Sequence, residues 1–395
     1  MIKRTQSENK FFGSFWLKTL FISCFSLSLC NGSNNEIRIK SLLSDLNIES
    51  SAHIDISSVG NHIKIEYTLP KSCSDALNEL LKGSAIDPYQ NWESYCPLAQ
   101  ELLLKVLPED LKSIIAYMSN NNEPTALIIH NMPVDSYIPQ TPTHGNRPTH
   151  KEFNSEGEEI SNPHAKDYVS ETSLLGMCNL LNSYPDFDEN EKDGTYINQI
   201  IPVDDIKNKQ DASSFGSEVT FEFHTENVYQ ETPLKYLSLL CLRGDSKVAT
   251  SLVFLDAILE AMKKCPHETM SYEEIIEEME KPQYIMKTGP SFGDFTIQTQ
   301  LPILCKKNNN ERLFRFNANK GRVIGANTKA AEVVEYLRAI LTKASFKEQS
   351  ATRIYLKTGD LIILNNWEVM HSRDAFKIDP NNWRWLQRCY FMRKN

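Results

Sequence analysis

Apolar positions along this chain recur with two periods, and the change from one to the other marks its elements. Ile37, Ile39, Leu42, Leu43 and Leu46 give residues 36–47 the spacing of a helix with one apolar side. His62 to Leu69 alternates as a strand does and is closed by Pro70. Residues 74–81 read as a short helix with Gly83 as its stop, and Leu98 to Met118 as a helix split at Pro108. Thr125 to His130 is a buried strand, and this front is expected to pack outside the β core. Residues 139–167 are polar and loop-like. Beyond them come a helix over 170–181 and strands over 196–201 and 219–224, then helices over 255–264 and 272–279. Strands follow over 291–303 and 312–316, with an amphipathic helix over 330–341. The last unit is the plainest. Gly359-Asp360 is a turn, Leu361–Leu364 a short apolar run, Asn365-Asn366 a second turn, and WRWLQRCYFM (383–392) a strand of bulky apolar residues. Strands scattered among helical insertions predict an α+β protein with a mainly β core, because a parallel α/β sheet would show regular βα alternation.

The length of 395 residues suits one large domain, and 41% hydrophobic and 10% aromatic content excludes a disordered or fibrous chain. A net charge of -9 argues against nucleic acid, whose phosphates require clustered Lys and Arg. Nine cysteines, odd in number and without CxxC spacing, predict free thiols and a cytoplasmic protein. Residues 1–35 form an extension with Lys3, Arg4 and Lys10 ahead of an apolar stretch, so export through a signal segment is the alternative; Lys18 disfavours a spanning helix. Residues 36–395 are the functional domain, and no membrane partner is expected beyond that segment.

Candidate chemistry concentrates at two places. In Val219-Thr-Phe-Glu-Phe-His224-Thr-Glu226, the ligands His224 and Glu226 stand at i and i+2 and point to one face of a strand. His371 is expected on a loop just past the Leu361–Leu364 strand. Two histidines and one carboxylate occupy one face of a metal and leave positions open, the pattern of Fe(II) oxygenases that bind a 2-oxo acid. Arg384 and Arg388 lie in an apolar strand, where a guanidinium requires an anionic partner. The same set could hold zinc for hydrolysis, or belong to an inactive barrel that only binds.

Phe223-His-Thr-Glu226, then Tyr236-Leu-Ser-Leu-Leu-Cys-Leu-Arg-Gly-Asp245, then Gly359-Asp360 through His371-Ser-Arg-Asp-Ala-Phe376 to Arg384-Trp-Leu and Arg388 resemble the clavaminate synthase-like iron(II)/2-oxoglutarate oxygenases, in the branch of L-asparagine oxygenase and arginine β-hydroxylase. The resemblance covers about residues 170–392. It implies a double-stranded β-helix (jelly-roll) barrel with flanking helices. It implies His224, Glu226 and His371 as iron ligands, Arg384 and Thr250 at the 2-oxoglutarate carboxylate, and O2 as the third reactant. Arg388 would reach that anion or a substrate carboxylate; the loop after His371 is a residue shorter than in relatives, which leaves the division between the two arginines open. The implied reaction is hydroxylation of a small L-amino acid, or of an amino-acid unit in a metabolite, near its β-carbon, with release of succinate and CO2. Gln210, Ser214, Asn317 and Asn319 are the candidate substrate contacts, and the two neutral asparagines favour a neutral substrate side chain.

Overall fold

In the computed structural model the described residues are 32–46, 53–81, 86–138, 141, 152–153, 159–160, 168–191, 194–202, 213, 216–289, 292, 296–307, 311–379 and 383–394. Two sheets organise them. The larger has eight strands, in the order Ile54–Val59, His62–Thr68, Ala126–His130, Leu361–Asn365, Tyr236–Arg243, Trp385–Arg393 and Ser183–Asp186, with Ile197–Ile200 also paired to Trp385–Arg393. The smaller runs Thr352–Ile354, Thr250–Phe254, Val369–Arg373, Phe221–His224. All pairings in these sheets are antiparallel except that of His62–Thr68 with Ala126–His130. The front of the chain therefore does more than cover the core: it lengthens the larger sheet by three strands, because its alternating runs offer unpaired backbone as well as apolar side chains.

Alternation sorts the residues of each strand to opposite faces. Between the sheets lie Leu237, Leu239, Ile362, Leu364 and Leu386 from the larger, with Leu252, Phe254, Ile354 and Val369 from the smaller. On the opposite face of the larger sheet, Tyr236, Leu240, Leu361, Ile363, Trp385 and Phe391 pack against helices Trp92–Val106 and Val169–Leu180. The back of the smaller sheet, through Phe223, Val253 and Met370, meets helices Leu255–Lys264 and Thr328–Thr342. Leu361–Leu364 shows no polar alternation because both of its faces are covered. Pro108, which has no N–H to donate, ends one helix after Val106 and precedes the next at Glu109. Gly359 turns the chain into the Leu361 strand at φ +86°, where a Cβ would stand 2.8 Å from the Met132 carbonyl oxygen.

The first described helix, Gly32–Asp45, crosses the boundary expected at residue 35, and residues 1–31 lie outside the described ones. No helix among the described residues is long and apolar enough to cross a membrane.

One polar tie fastens the front strands to the centre of the sheet. His130 meets Asp360 at 2.8 Å through Nδ1 and Glu66 at 3.5 Å through Nε2. The bonds to Asp360 and Glu66 hold the His130 pKa up at about 9, from 6.5. A raised histidine pKa stabilises the fold fully below about pH 6.5, and that contribution is lost as pH rises through about 9. We predict that His130→Gln lowers unfolding stability at pH 6 by on the order of 1 kcal/mol, a figure reduced for solvent screening. Urea titrations of both proteins should show the difference closing by about pH 10.

Candidate metal centre

The strand Phe221–His224 ends at its ligand, and the next two residues are held individually. The Thr225 N–H donates to the Phe316 carbonyl (3.0 Å), and the Thr225 hydroxyl accepts from the Phe316 N–H (3.3 Å). The Glu226 N–H donates to Asn366 Oδ1 (2.8 Å), while the Asn366 amide donates back to the Glu226 carbonyl (3.2 Å). A turn that would otherwise leave buried backbone groups unpaired is thus fixed by one amide side chain. Opposite it, His371 is not on a loop but inside strand Val369–Arg373, as the Cα partner of His224. The Asn365-Asn366 turn, with Trp367 and Glu368, carries the chain back so soon that a new strand has started before His371. Between His371 and Arg373 the register shifts: a two-residue step answers the three-residue step from His224 to Phe221.

This arrangement brings ligand atoms of His224, Glu226 and His371 within 4.8 Å of one another. Glu226 Oε1 lies 3.8 Å from His224 Nε2 and 3.5 Å from His371 Nε2. His224 Nδ1 donates to the Glu222 carbonyl at 2.8 Å, which presents the Nε2 lone pair to the centre; that Nε2 is buried without a hydrogen-bond partner. Burial, and then the neighbouring His224, push the His371 pKa down to about 4, so its imidazole is neutral, as a metal ligand must be. Burial works against charge on Glu226, but Arg388 and the two histidines outweigh it and keep its carboxyl well below the usual range. A buried carboxylate and two imidazoles, each with a buried ring nitrogen that has no hydrogen-bond partner, fit a divalent first-row metal.

Around the centre the other expected residues separate. Arg384 Nη2 donates to Thr250 Oγ1 at 3.2 Å, and both side chains are buried. Burial lowers the Arg384 pKa, and no carboxylate of a described residue is paired with it. Arg373, opposite Thr250 in the sheet, donates to the carbonyls of Gly216 and Val219 (2.7 Å to the latter). Its pKa falls to about 9 through burial and then the neighbouring Arg384. Two guanidinium groups thus share one buried region in which Arg384 has, among the described residues, only a hydroxyl as partner, an arrangement that calls for an anion.

The expectation that Arg388 requires an outside anion does not hold. Its Nη2 donates to Glu191 at 2.6 Å and its Nη1 to Glu226 at 3.2 Å. The Tyr390 hydroxyl donates to Glu191 at 2.9 Å. Burial opposes its charge, but Glu191, Tyr390 and Glu226 raise its pKa above the ordinary value. Glu191 went unnoticed in the sequence because it sits in the polar run DFDENEKD, which reads as solvated; the unpaired Arg388 was the signal that a carboxylate had to be found. Asn317 lines the cavity beside the centre. Asn319 does not: it accepts from the Glu222 N–H (3.1 Å) and its amide binds Asn317 (2.8 Å), so it holds the ligand strand. Gln210 and Ser214 lie outside the described residues. The cavity is also lined by Phe221, Tyr229, Lys287, Phe292 and Arg322.

Residues 172–390 match the family described as taurine catabolism dioxygenase TauD, TfdA family. The chain is 20% identical over 221 residues to enduracididine beta-hydroxylase of Streptomyces hygroscopicus, a match that spans 51% of this chain and 61% of that protein. Among solved structures it is similar to asparagine oxygenase in complex with Fe(II), 3-hydroxyasparagine and succinate. The TM-score is 0.63 and the identity 19%, with 82% of this chain and 92% of that one covered. The non-heme iron oxygenase OrfP in complex with Fe and alpha-ketoglutaric acid gives a TM-score of 0.60 at 18% identity, covering 83% and 94%.

Asn366→Ala should leave the Glu226 backbone unpaired and loosen the centre. Supporting groups of this kind are worth ~10–100-fold in metal affinity, and a competition titration of the metal-free protein with Fe(II) or Mn(II) should show a loss in that range. Wild-type affinity in the variant would dismiss the role given to Asn366.

Proposed function

Because the chain belongs to the taurine catabolism dioxygenase TauD, TfdA family, we propose that it is an Fe(II)/2-oxoglutarate-dependent oxygenase that hydroxylates an L-amino acid or amino-acid-derived metabolite near the β-carbon. The observation that carries this reading is the pairing of a two-histidine, one-carboxylate centre with the buried, anion-seeking Arg384. Zinc hydrolysis uses no such arginine, so that alternative is not favoured. The eight-stranded and four-stranded sheets with apolar side chains between them are read as the double-stranded β-helix, with the centre at its mouth. A cytoplasmic location is supported by the cysteines, of which the seven described are all free.

His224, Glu226 and His371 hold the iron, which together with 2-oxoglutarate and O2 supplies the oxidising chemistry that converts a C–H bond to C–OH and releases succinate and CO2. Arg384 and the Thr250 hydroxyl hold the far carboxylate of 2-oxoglutarate and so set how its other end meets the metal. Arg388 and Asn366 keep Glu226 ionised and in place. Phe221, which stacks near His224 with ring centroids 4.0 Å apart, and Phe292 shield the centre from water. Asn317 offers the substrate a neutral hydrogen-bonding side chain, consistent with a neutral rather than cationic substrate side chain. The carboxylate ligand Glu226 disfavours halogenation, which needs its place for halide.

In the wild-type protein, anaerobic addition of Fe(II) and 2-oxoglutarate should produce a metal-to-ligand absorption band, and tight zinc binding without that band would speak for the hydrolase. Substrate-stimulated succinate release should be abolished in His224→Ala. Removing one partner of a buried charged pair costs about 2–5 kcal/mol, so Arg384→Met should raise KM for 2-oxoglutarate by roughly 30-fold or more. An unchanged KM would move the co-substrate site elsewhere.

A further inference from the structure

Two asparagines beside the centre hold each other in a fixed polarity, and we infer that they select a substrate whose side chain ends in an oxygen acceptor, a carbonyl or carboxylate, over one that ends in a nitrogen donor. This deepens the oxygenase reading and rests on it. Asn317 is half-buried, lines the cavity and is the bridge partner of His224. Asn319 is buried behind it. An amide has nearly the same shape whichever way it is turned, so its bonding partners decide which end is the oxygen.

Here two backbone donors decide for both side chains. The Glu222 N–H can only donate, so the Asn319 atom it meets at 3.1 Å is the oxygen, Oδ1. The Asn319 amide is thereby turned with Nδ2 toward Asn317 Oδ1, to which it donates at 2.8 Å. The Asn319 N–H donates to the same Oδ1 at 3.0 Å. Both lone pairs of that oxygen are then taken, and turning the Asn317 amide over would set its nitrogen against two donors. The polar atom left to face the cavity is Asn317 Nδ2, which carries two N–H groups, accepts nothing, and has no partner among the described residues. An ammonium or guanidinium end, which only donates, meets a donor there and loses its hydration without return, whereas an oxygen is received. Asn317 is thus a specificity-determining residue. Asn319 is a positioning residue, which sets the polarity that Asn317 presents.

The test uses the full chain loaded with Fe(II) and 2-oxoglutarate, once its absorption band is seen. Succinate release is measured with L-amino acids paired by shape: citrulline against arginine, glutamine and glutamate against ornithine, asparagine and aspartate against diaminobutyrate. The carboxamide and carboxylate members separate the two sources of the acceptor. In at least one pair the oxygen-ended member should exceed its nitrogen-ended partner in kcat/KM by about 10-fold or more. Asn317→Asp keeps an oxygen toward Asn319 but turns the cavity-facing atom from donor to acceptor, and should reverse the preference. Asn319→Asp keeps the oxygen that the Glu222 N–H needs but removes the side-chain donor to Asn317, and should bring the ratio toward one. A merely structural role would lower both members of a pair alike. Equal kcat/KM within every pair, a wild-type preference for the nitrogen-ended members, or a ratio unmoved in Asn317→Asp would overturn the inference. Absence of the band, or a band with no member stimulating turnover, would instead fault the oxygenase reading or its amino-acid substrate, and the inference with it.

Discussion

The structure depends on keeping one carboxylate charged in a dry place. Glu226 is 9% exposed, and the cost of burying its charge falls on its neighbours: two imidazoles, one guanidinium and the tyrosine hydroxyl behind them. None of these could be removed without leaving a buried charge uncompensated, so residues from distant parts of the chain are bound to one point. Glu191 comes before the sheet strands of the centre, Glu226 just after the first of them, and Arg388 and Tyr390 at the end. Ion pairing of this sort is weak evidence for stability, but it fixes where each strand must stand.

The two-sheet architecture supplies what that point needs. Strands Trp385–Arg393 and Tyr236–Arg243 run through the middle of the larger sheet, covered by helices on one side and by the smaller sheet on the other. Arg388 lies in the first of these strands and Arg384 immediately before it, both buried, and their surroundings differ. Arg388 finds carboxylates within the protein, whereas among the described residues Arg384 finds only Thr250.

Much of this was legible in the sequence. The apolar run Leu361–Leu364 and the alternating run from Trp385 became central strands, and helices Leu255–Lys264 and Tyr272–Met279 fall where the apolar spacing put them. Such elements are strongly periodic, and their environment agrees with their local pattern. The three candidate ligands could be named because chemistry restricts the residue types and the resemblance gives their order, and the structure brings them together. Short strands such as Thr352–Ile354 and Ser183–Asp186 were not, since three or four residues carry no period and are formed by the neighbour they pair with. Partners were the harder part. That Arg388 needed a carboxylate could be argued from burial, but whether Glu191 or a ligand would provide it depends on how an acidic surface-like run folds inward. Asn319 likewise looked like a substrate contact, because sequence cannot distinguish an amide that faces a cavity from one that caps a neighbouring strand.

The register shift beside His371 has a consequence for how such a site can change over time. Side chains alternate between faces, so losing or gaining one residue in the Phe221–His224 strand would carry its side chains to the other face of the sheet. The irregularity lets Arg373 pair with Phe221 while His371 still pairs with His224. It therefore absorbs a residue that would otherwise rotate one histidine away from the cleft. An insertion or deletion elsewhere, in the turns and helices between strands, would leave this alignment untouched, whereas one between His224 and Glu226 would not.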